Sequence, residues 1–191
     1  MATLNREDRL MQIMGAGFER AARSFSALVN KNVKITKCNS VKIQSGASWS
    51  AFADEAGHLY VLVTQIIGDV SGKSFLIFNE AESQEIFKAV NLRVSNDALN
   101  EAFLMEIDNI ISASVISEMA NSLSIEIYGD VPSLIRMPAH DLKNFVAKEL
   151  GNDSSSSVIF CNTSFKFDDR DTIHPQFVWS LSNRIFDAIP V

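Results

Sequence analysis

The sequence predicts an α+β domain in which two long helices pack on a shared antiparallel-rich sheet. Three observations carry that expectation. Segments near 5–30 and 96–122 each place apolar residues on one stripe when wound at about 100° per residue. Residues 59–67 and 74–78 are strand-length apolar runs separated by Gly68-Asp-Val-Ser-Gly72, which reads as a hairpin turn. Two later runs, 158–167 and 177–181, add strands to finish the sheet. Helix, strands, helix, helix, strands suggests two long helices packed on one sheet.

Each element has its own signal. Asn5-Arg-Glu-Asp8 can cap the first helix and puts acids at its positive end. Leu10, Met14, Phe18, Ala21, Phe25 and Leu28 form its apolar stripe. Val33–Ile43 is a strand candidate whose alternation breaks at Cys38-Asn39-Ser40, and 44–57 is small and polar enough for a loop. A short helix over 80–90 precedes the long one. In that long helix Leu99, Phe103, Ile107, Ile110, Ile111 and Ser114/Val115 make the expected buried stripe. Ile125-Glu-Ile127 is a strand, and Pro138–Leu150 is a helix with Leu142, Phe145, Val146 and Leu150 on one side. Gly151–Ser157 is a short, exposed low-complexity loop, and Ile185-Phe186 is an apolar pair near the terminus.

Bulk properties narrow the function. At 191 residues the chain fits one domain, 1–191, able to bury about 70% of its unfolded surface. A net charge of −6 with no Lys/Arg cluster argues against a nucleic-acid binder. No signal peptide and no 18-residue apolar run is evident, so no membrane span and a cytoplasmic, soluble protein are expected. Cys38 and Cys161 lack metal spacing and read as reduced structural thiols. His58, His140 and His174 lack ligand spacing, so no metal is assigned.

The chemistry-bearing feature is a pair on the long helix. Glu106 and Asn109 lie at i, i+3, separated by about 4.5 Å of rise, just off the apolar stripe. Ala102, Ala113 and Ala120 beside them form a ledge of small residues that would let another macromolecule approach closely. An acid and an amide so placed can grip a cation with one group and steer a water with the other. Glu-x-x-Asn is unspecific in itself. It recurs at Glu118/Asn121, near the helix end, and at Glu149/Asn152, which borders Gly151 and the serine run. Only Glu106/Asn109 has apolar helix on both sides.

The surroundings of that pair resemble the CheC/CheX/FliY family of chemotaxis phosphatases, whose signature is Glu-x-x-Asn on a long helix. Gly72-Lys-Ser-Phe-Leu-Ile-Phe-Asn-Glu-Ala-Glu82 is similar to the family's Gly-led strand and short helix, and Asp130-Val-Pro132 to its strand exit. Gly15-Ala-Gly17, Ala21–Ser26 and Val33–Ile35 resemble the first half of its duplicated unit. The likeness covers roughly 8–132 and, as a strand pattern only, 155–190. It implies a CheC-like pseudo-duplicated fold. Some members carry the motif in both halves. Here Glu7 and Glu19 are followed three residues on by Leu10 and Ala22, and Arg9 precedes Gln12, so a single site is expected. The family often has Ser or Asp four residues before the Glu, where this chain has Ala102.

The resemblance implies a substrate: the phospho-aspartate of a CheY-like response regulator in two-component signalling. The regulator brings Mg²⁺ and a lysine around its phosphate, so the phosphatase needs no cofactor of its own. Glu106 would pair with that lysine and Asn109 would hold the attacking water in line, an amide being able to donate and accept at once. The alternative is a non-catalytic docking or scaffold module of a chemotaxis or flagellar-switch complex using the same helix face. Self-association as a homodimer through an exposed sheet edge is a third, open reading.

Overall fold

Asn5 starts the first helix by accepting the Asp8 backbone N–H on its side chain at 2.7 Å, with Glu7 and Asp8 in the first turn. That helix, α1, spans Arg6–Val29 in this computed structural model, which describes residues 5–37, 43–44, 57–90, 96–150, 156–167 and 173–190. It stops at Asn30, whose φ of 51° puts it in the left-handed region that ends helices. Strands β1 (Val33–Lys37), β2 (Ile43–Gln44), β3 (His58–Gly68) and β4 (Gly72–Asn79) follow. Next come helices α2 (Glu80–Ala89) and α3 (Asp97–Leu123), then strands β5 (Ile127–Gly129) and β6 (Ser133–Pro138). Helix α4 (Leu142–Leu150), strands β7 (Ser156–Phe167) and β8 (Gln176–Ser182), and the short α5 (Arg184–Asp187) complete the chain.

All strand pairs are antiparallel, and the sheet runs β1-β7-β8-β4-β3-β5, with β2 beside β7 and β6 beside β3. Helices α1 and α3 pack side by side on one face. Their core holds Phe25, whose ring meets Phe165 at 6.2 Å and Phe167 at 5.8 Å, and Phe18, which meets Phe177 at 5.7 Å. The other face is covered by α4, where Leu142 and Val146 pack on Leu59, Val61, Phe75 and Val178. The β3–β4 hairpin turns at Gly68, where φ is +119° and a Cβ would collide with the Glu126 carbonyl. Asp69 closes this corner: its N–H donates to the Glu126 carbonyl, and its carboxylate accepts the Glu126 N–H, both at 2.8 Å. The chain leaving α3 is thereby tied to the hairpin.

The α+β architecture, both long helices, the hairpin and the closing strands stand as expected, and the differences have identifiable causes. Leu28, about five full turns on from the buried Leu10, is 46% exposed in the last turn of α1, just before the cap at Asn30. The strand after α3 begins at Ile127, two residues late, because Ser124 (φ 54°) caps the helix first. Strand β6 is not among the elements expected from the sequence. Three residues, Asp130–Pro132, face two on β3, Thr64 and Gln65, between the pairs Ile66↔Gly129 and Val63↔Ser133. This bulge holds Pro132 out of the ladder, and the half-solvated edge strand beyond it shows no alternation. Residues 138–141 form a bridging strand end and a 3-10 turn before α4 begins. The break at Cys38-Asn39-Ser40, the loop over 45–56, Asn152 and most of the serine loop lie outside the described residues.

Candidate functional site on the third helix

Helix α3 begins where the Asn96 side chain accepts the Leu99 N–H at 3.2 Å. It is pinned from two sides. Toward α1, Gly17 lets the backbones approach so closely that a Cβ there would lie 2.6 Å from Val115 Cα. Phe25 meets Phe103 at 6.5 Å, and Arg20 pairs with Glu118 at 3.1 Å. Toward the sheet, Thr64 Oγ1 on β3 donates to Asp108 Oδ2 at 2.7 Å.

The buried face of α3 keeps Ile107, Ile111, Ser114 and Val115 of the expected stripe but is displaced from Leu99, Phe103 and Ile110. Leu104, Asp108, Ile111, Val115 and Met119, which fall within about 80° of one another on the helix, are the buried line. Leu99 is 50% exposed, and Phe103 and Ile110 are half-buried. The centre of the expected stripe is thus rotated by roughly a quarter turn from the buried line, with Phe103 meeting Phe25 of α1 at the edge of the core. This rotation concealed Asp108, a carboxyl on the true core line.

Asp108 is fully buried, and its carboxyl is pushed up to about 7 by loss of hydration, partly offset by the Thr64 hydrogen bond. Its second oxygen, Oδ1, has no partner among the described residues. Ser112 Oγ donates to the Asp108 carbonyl at 2.7 Å. The signal available in the sequence was its spacing: Asp108 is four residues from Leu104 and three from Ile111.

Glu106 and Asn109 are both solvent-exposed on the face away from the sheet. Neither side chain makes a hydrogen bond or ion pair with another described residue, so both are free to engage a second molecule. Ala102 and Ala113 beside them are exposed, and Ala120 is half-buried. The ledge therefore exists at its first two positions and narrows at the third. The other two copies of the motif behave differently. Glu118 is held by Arg20 and accepts from Ser122 at 3.1 Å, and Glu149 is paired with Lys73 at 2.7 Å. On α1, Arg9 donates to Gln12 at 3.4 Å, so the exposed i, i+3 pair there is a cation and an amide.

Three comparisons place this arrangement among known folds. Thermotoga maritima FliY superposes with a TM-score of 0.72 at 14% identity, over 97% of this chain and 95% of that one. Chemotaxis protein CheX from Vibrio vulnificus gives 0.59 at 12%, covering 90% and 99%. The FliM middle domain from H. pylori gives 0.60 at 9%, covering 96% and 99%. No family model matches the chain. The protein has the CheC-like fold that these structures share. No helix among the described residues is long and apolar enough to cross a membrane.

Proposed function

We propose that the protein is a phosphatase acting on the phospho-aspartate of a CheY-like response regulator, with Glu106 and Asn109 as its two working groups. One observation carries this reading: both side chains are exposed and unengaged on one face of α3, between the exposed Ala102 and Ala113. In the other two copies of the motif the acid is engaged, Glu118 by Arg20 and Glu149 by Lys73.

In this mechanism Glu106 docks against the regulator's active-site lysine, and the Asn109 amide accepts from a water while directing its oxygen at phosphorus. The new P–O bond forms in line as the bond to the regulator's aspartate oxygen breaks. The products are a free carboxylate and inorganic phosphate, which keeps both hydrogens of the water. Charge on the phosphoryl oxygens is met by the Mg²⁺ and lysine that the regulator supplies, so positioning is the main contribution of this protein. The test is the decay of phosphate on a CheY-type receiver with and without the protein. Acceleration that Asn109→Ala abolishes supports the reading, and full activity in that variant would rule it out.

A second reading rests on a specific observation. FliM middle domains share the fold, and Ala102 stands where the CheC/CheX/FliY pattern often has Ser or Asp. In that reading the same face docks a partner in a chemotaxis or flagellar-switch complex without hydrolysis. Binding to the phosphorylated receiver with an unchanged phosphate lifetime is its signature.

A further inference from the structure

Five large apolar side chains are strongly exposed among the described residues, and they fall in two places. Ile67 (50%) and Tyr128 (58%) are cross-strand partners at the β3–β5 corner, with Val131 (82%) in the adjoining bulge. Leu28 (46%) and Leu99 (50%) are on the two long helices. Those helices are antiparallel, since Gly17 meets Val115 whereas Phe25 meets Phe103. One turn beyond Phe25 is Leu28, and one turn before Phe103 is Leu99, so the two leucines stand at the same end of the helix pair. Leu99 is also seven residues before Glu106, two turns along the same azimuth and about 10.5 Å away on the helix axis. Leu99 thus continues the face that carries the working pair, with Leu28 at the same end of the neighbouring helix.

We propose that Leu28, Leu99 and the half-buried Phe103 between them form an apolar seat for the phosphorylated receiver domain, gripping it beside the site of hydrolysis. The inference rests on the phosphatase reading and adds what that reading lacks, a source of binding energy. Glu106 and Asn109 alone offer one ion pair and one water contact, and an exposed ion pair contributes only about 0–1 kcal/mol. Two half-exposed leucines and the edge of a phenylalanine are far smaller than the roughly 800 Å² per partner of a stable interface. A permanent second copy of this chain is therefore a poor occupant. A partner that binds, loses its phosphate and leaves needs a small apolar anchor of this kind. The occupant would present an apolar side chain on the surface bordering its phospho-aspartate, about two helical turns from the phosphate.

The seat predicts a kinetic separation. Leu28 and Leu99 touch the partner equally before and during hydrolysis, so they supply uniform binding, which sets KM and leaves kcat alone. The experiment measures phosphate release from a CheY-type receiver, loaded by acetyl phosphate with Mg²⁺, over a range of receiver concentrations. Leu28→Ser and Leu99→Ser should each raise KM about tenfold, the loss typical of an apolar anchor, with kcat within twofold of the parent. The double variant should lose more, and Ile67→Ser and Tyr128→Ser should change neither constant. Both leucines are already half in water, so circular dichroism should show all four variants folded. Unchanged KM in the leucine variants, with Asn109→Ala still inactive, removes the seat and leaves the phosphatase reading standing. A fall in kcat at constant KM also overturns the seat. If the parent protein does not accelerate phosphate release at all, the phosphatase reading fails and the seat falls with it.

Discussion

Glu106 and Asn109 differ in the moment at which they act. A lysine contact made by Glu106 exists in the bound complex and persists through the reaction, whereas the Asn109 amide matters only once water attacks. Asn109→Ala should therefore lower kcat by on the order of 10²-fold or more, about 2.7 kcal/mol of barrier, with binding nearly intact. Glu106→Ala should weaken binding as well as rate. Neither should shift the thermal midpoint measurably, since both side chains are exposed and unengaged. Asn121→Ala is the control, being exposed near the end of α3 beyond the ledge. The ledge has its own test at Ala113, which is exposed one turn beyond Asn109. Ala113→Arg should leave the fold unchanged but cut kcat/KM severalfold, because a long side chain there would hold the partner away. Equal kcat/KM for Ala113→Arg and the parent would mean the partner does not approach along that side. This pair was legible in the sequence because its context, apolar helix on both sides and a Gly-led strand upstream, distinguished it from the other two copies. Asp108 was not, because Phe103 and Ile110 suggested a stripe rotated away from the true one.

At the scale of elements, the position of the pair depends on how α3 sits against α1. The closest approach is at Gly17, where a methyl group would lie 2.6 Å from Val115 Cα and 3.0 Å from its Cγ2. A backbone atom cannot swing aside as a flexible side chain can, so Gly17→Ala must push the helices apart. Overpacking of this kind costs about 1–3 kcal/mol and should lower the melting temperature by several degrees. The same separation would shift α3 relative to the sheet and disturb the Phe25–Phe103 contact, so activity should fall along with stability. By contrast Arg20→Ala removes a half-exposed ion pair to Glu118 and should cost no more than about 1 kcal/mol. A melting temperature for Gly17→Ala equal to that of the parent would show that the close crossing is not what fixes the helices. Amphipathic period found α1 and α3, with their ends within a residue or so. It did not find β6, because a bulged edge strand interrupted by Pro132 has neither alternation nor a continuous apolar run. Which helix faces which neighbour depends on long-range contacts, and local periodicity is silent about those.

For the whole molecule, the most consequential buried group is Asp108. Its carboxyl is held up at about 7 by desolvation, against an ordinary value near 3.8, with the Thr64 hydrogen bond opposing the shift. Among the described residues no ion pair compensates it, and desolvation outweighs the Thr64 hydrogen bond, so ionisation places a charge beneath the turn that carries Glu106 and Asn109. The sign of the pH dependence follows. Below about pH 4 both folded and unfolded chains carry the proton, and the group is neutral in its effect. Between about 4 and 7 the unfolded chain has released its proton while the folded chain retains it. The native state then binds more protons, and stability falls as pH rises through this window. Above about 7 both states are ionised and the loss levels off, having reached on the order of a few kcal/mol. Thermal unfolding should therefore show a higher midpoint near pH 5 than near pH 8, once other titrating groups are allowed for by comparison with a variant. Asp108→Asn is that variant: its carbonyl can still accept from Thr64, and it carries no charge at any pH. Its midpoint should be nearly flat across the window, crossing above the parent at alkaline pH. If parent and Asp108→Asn show the same slope between pH 5 and 8, the buried carboxyl does not govern the stability of this fold.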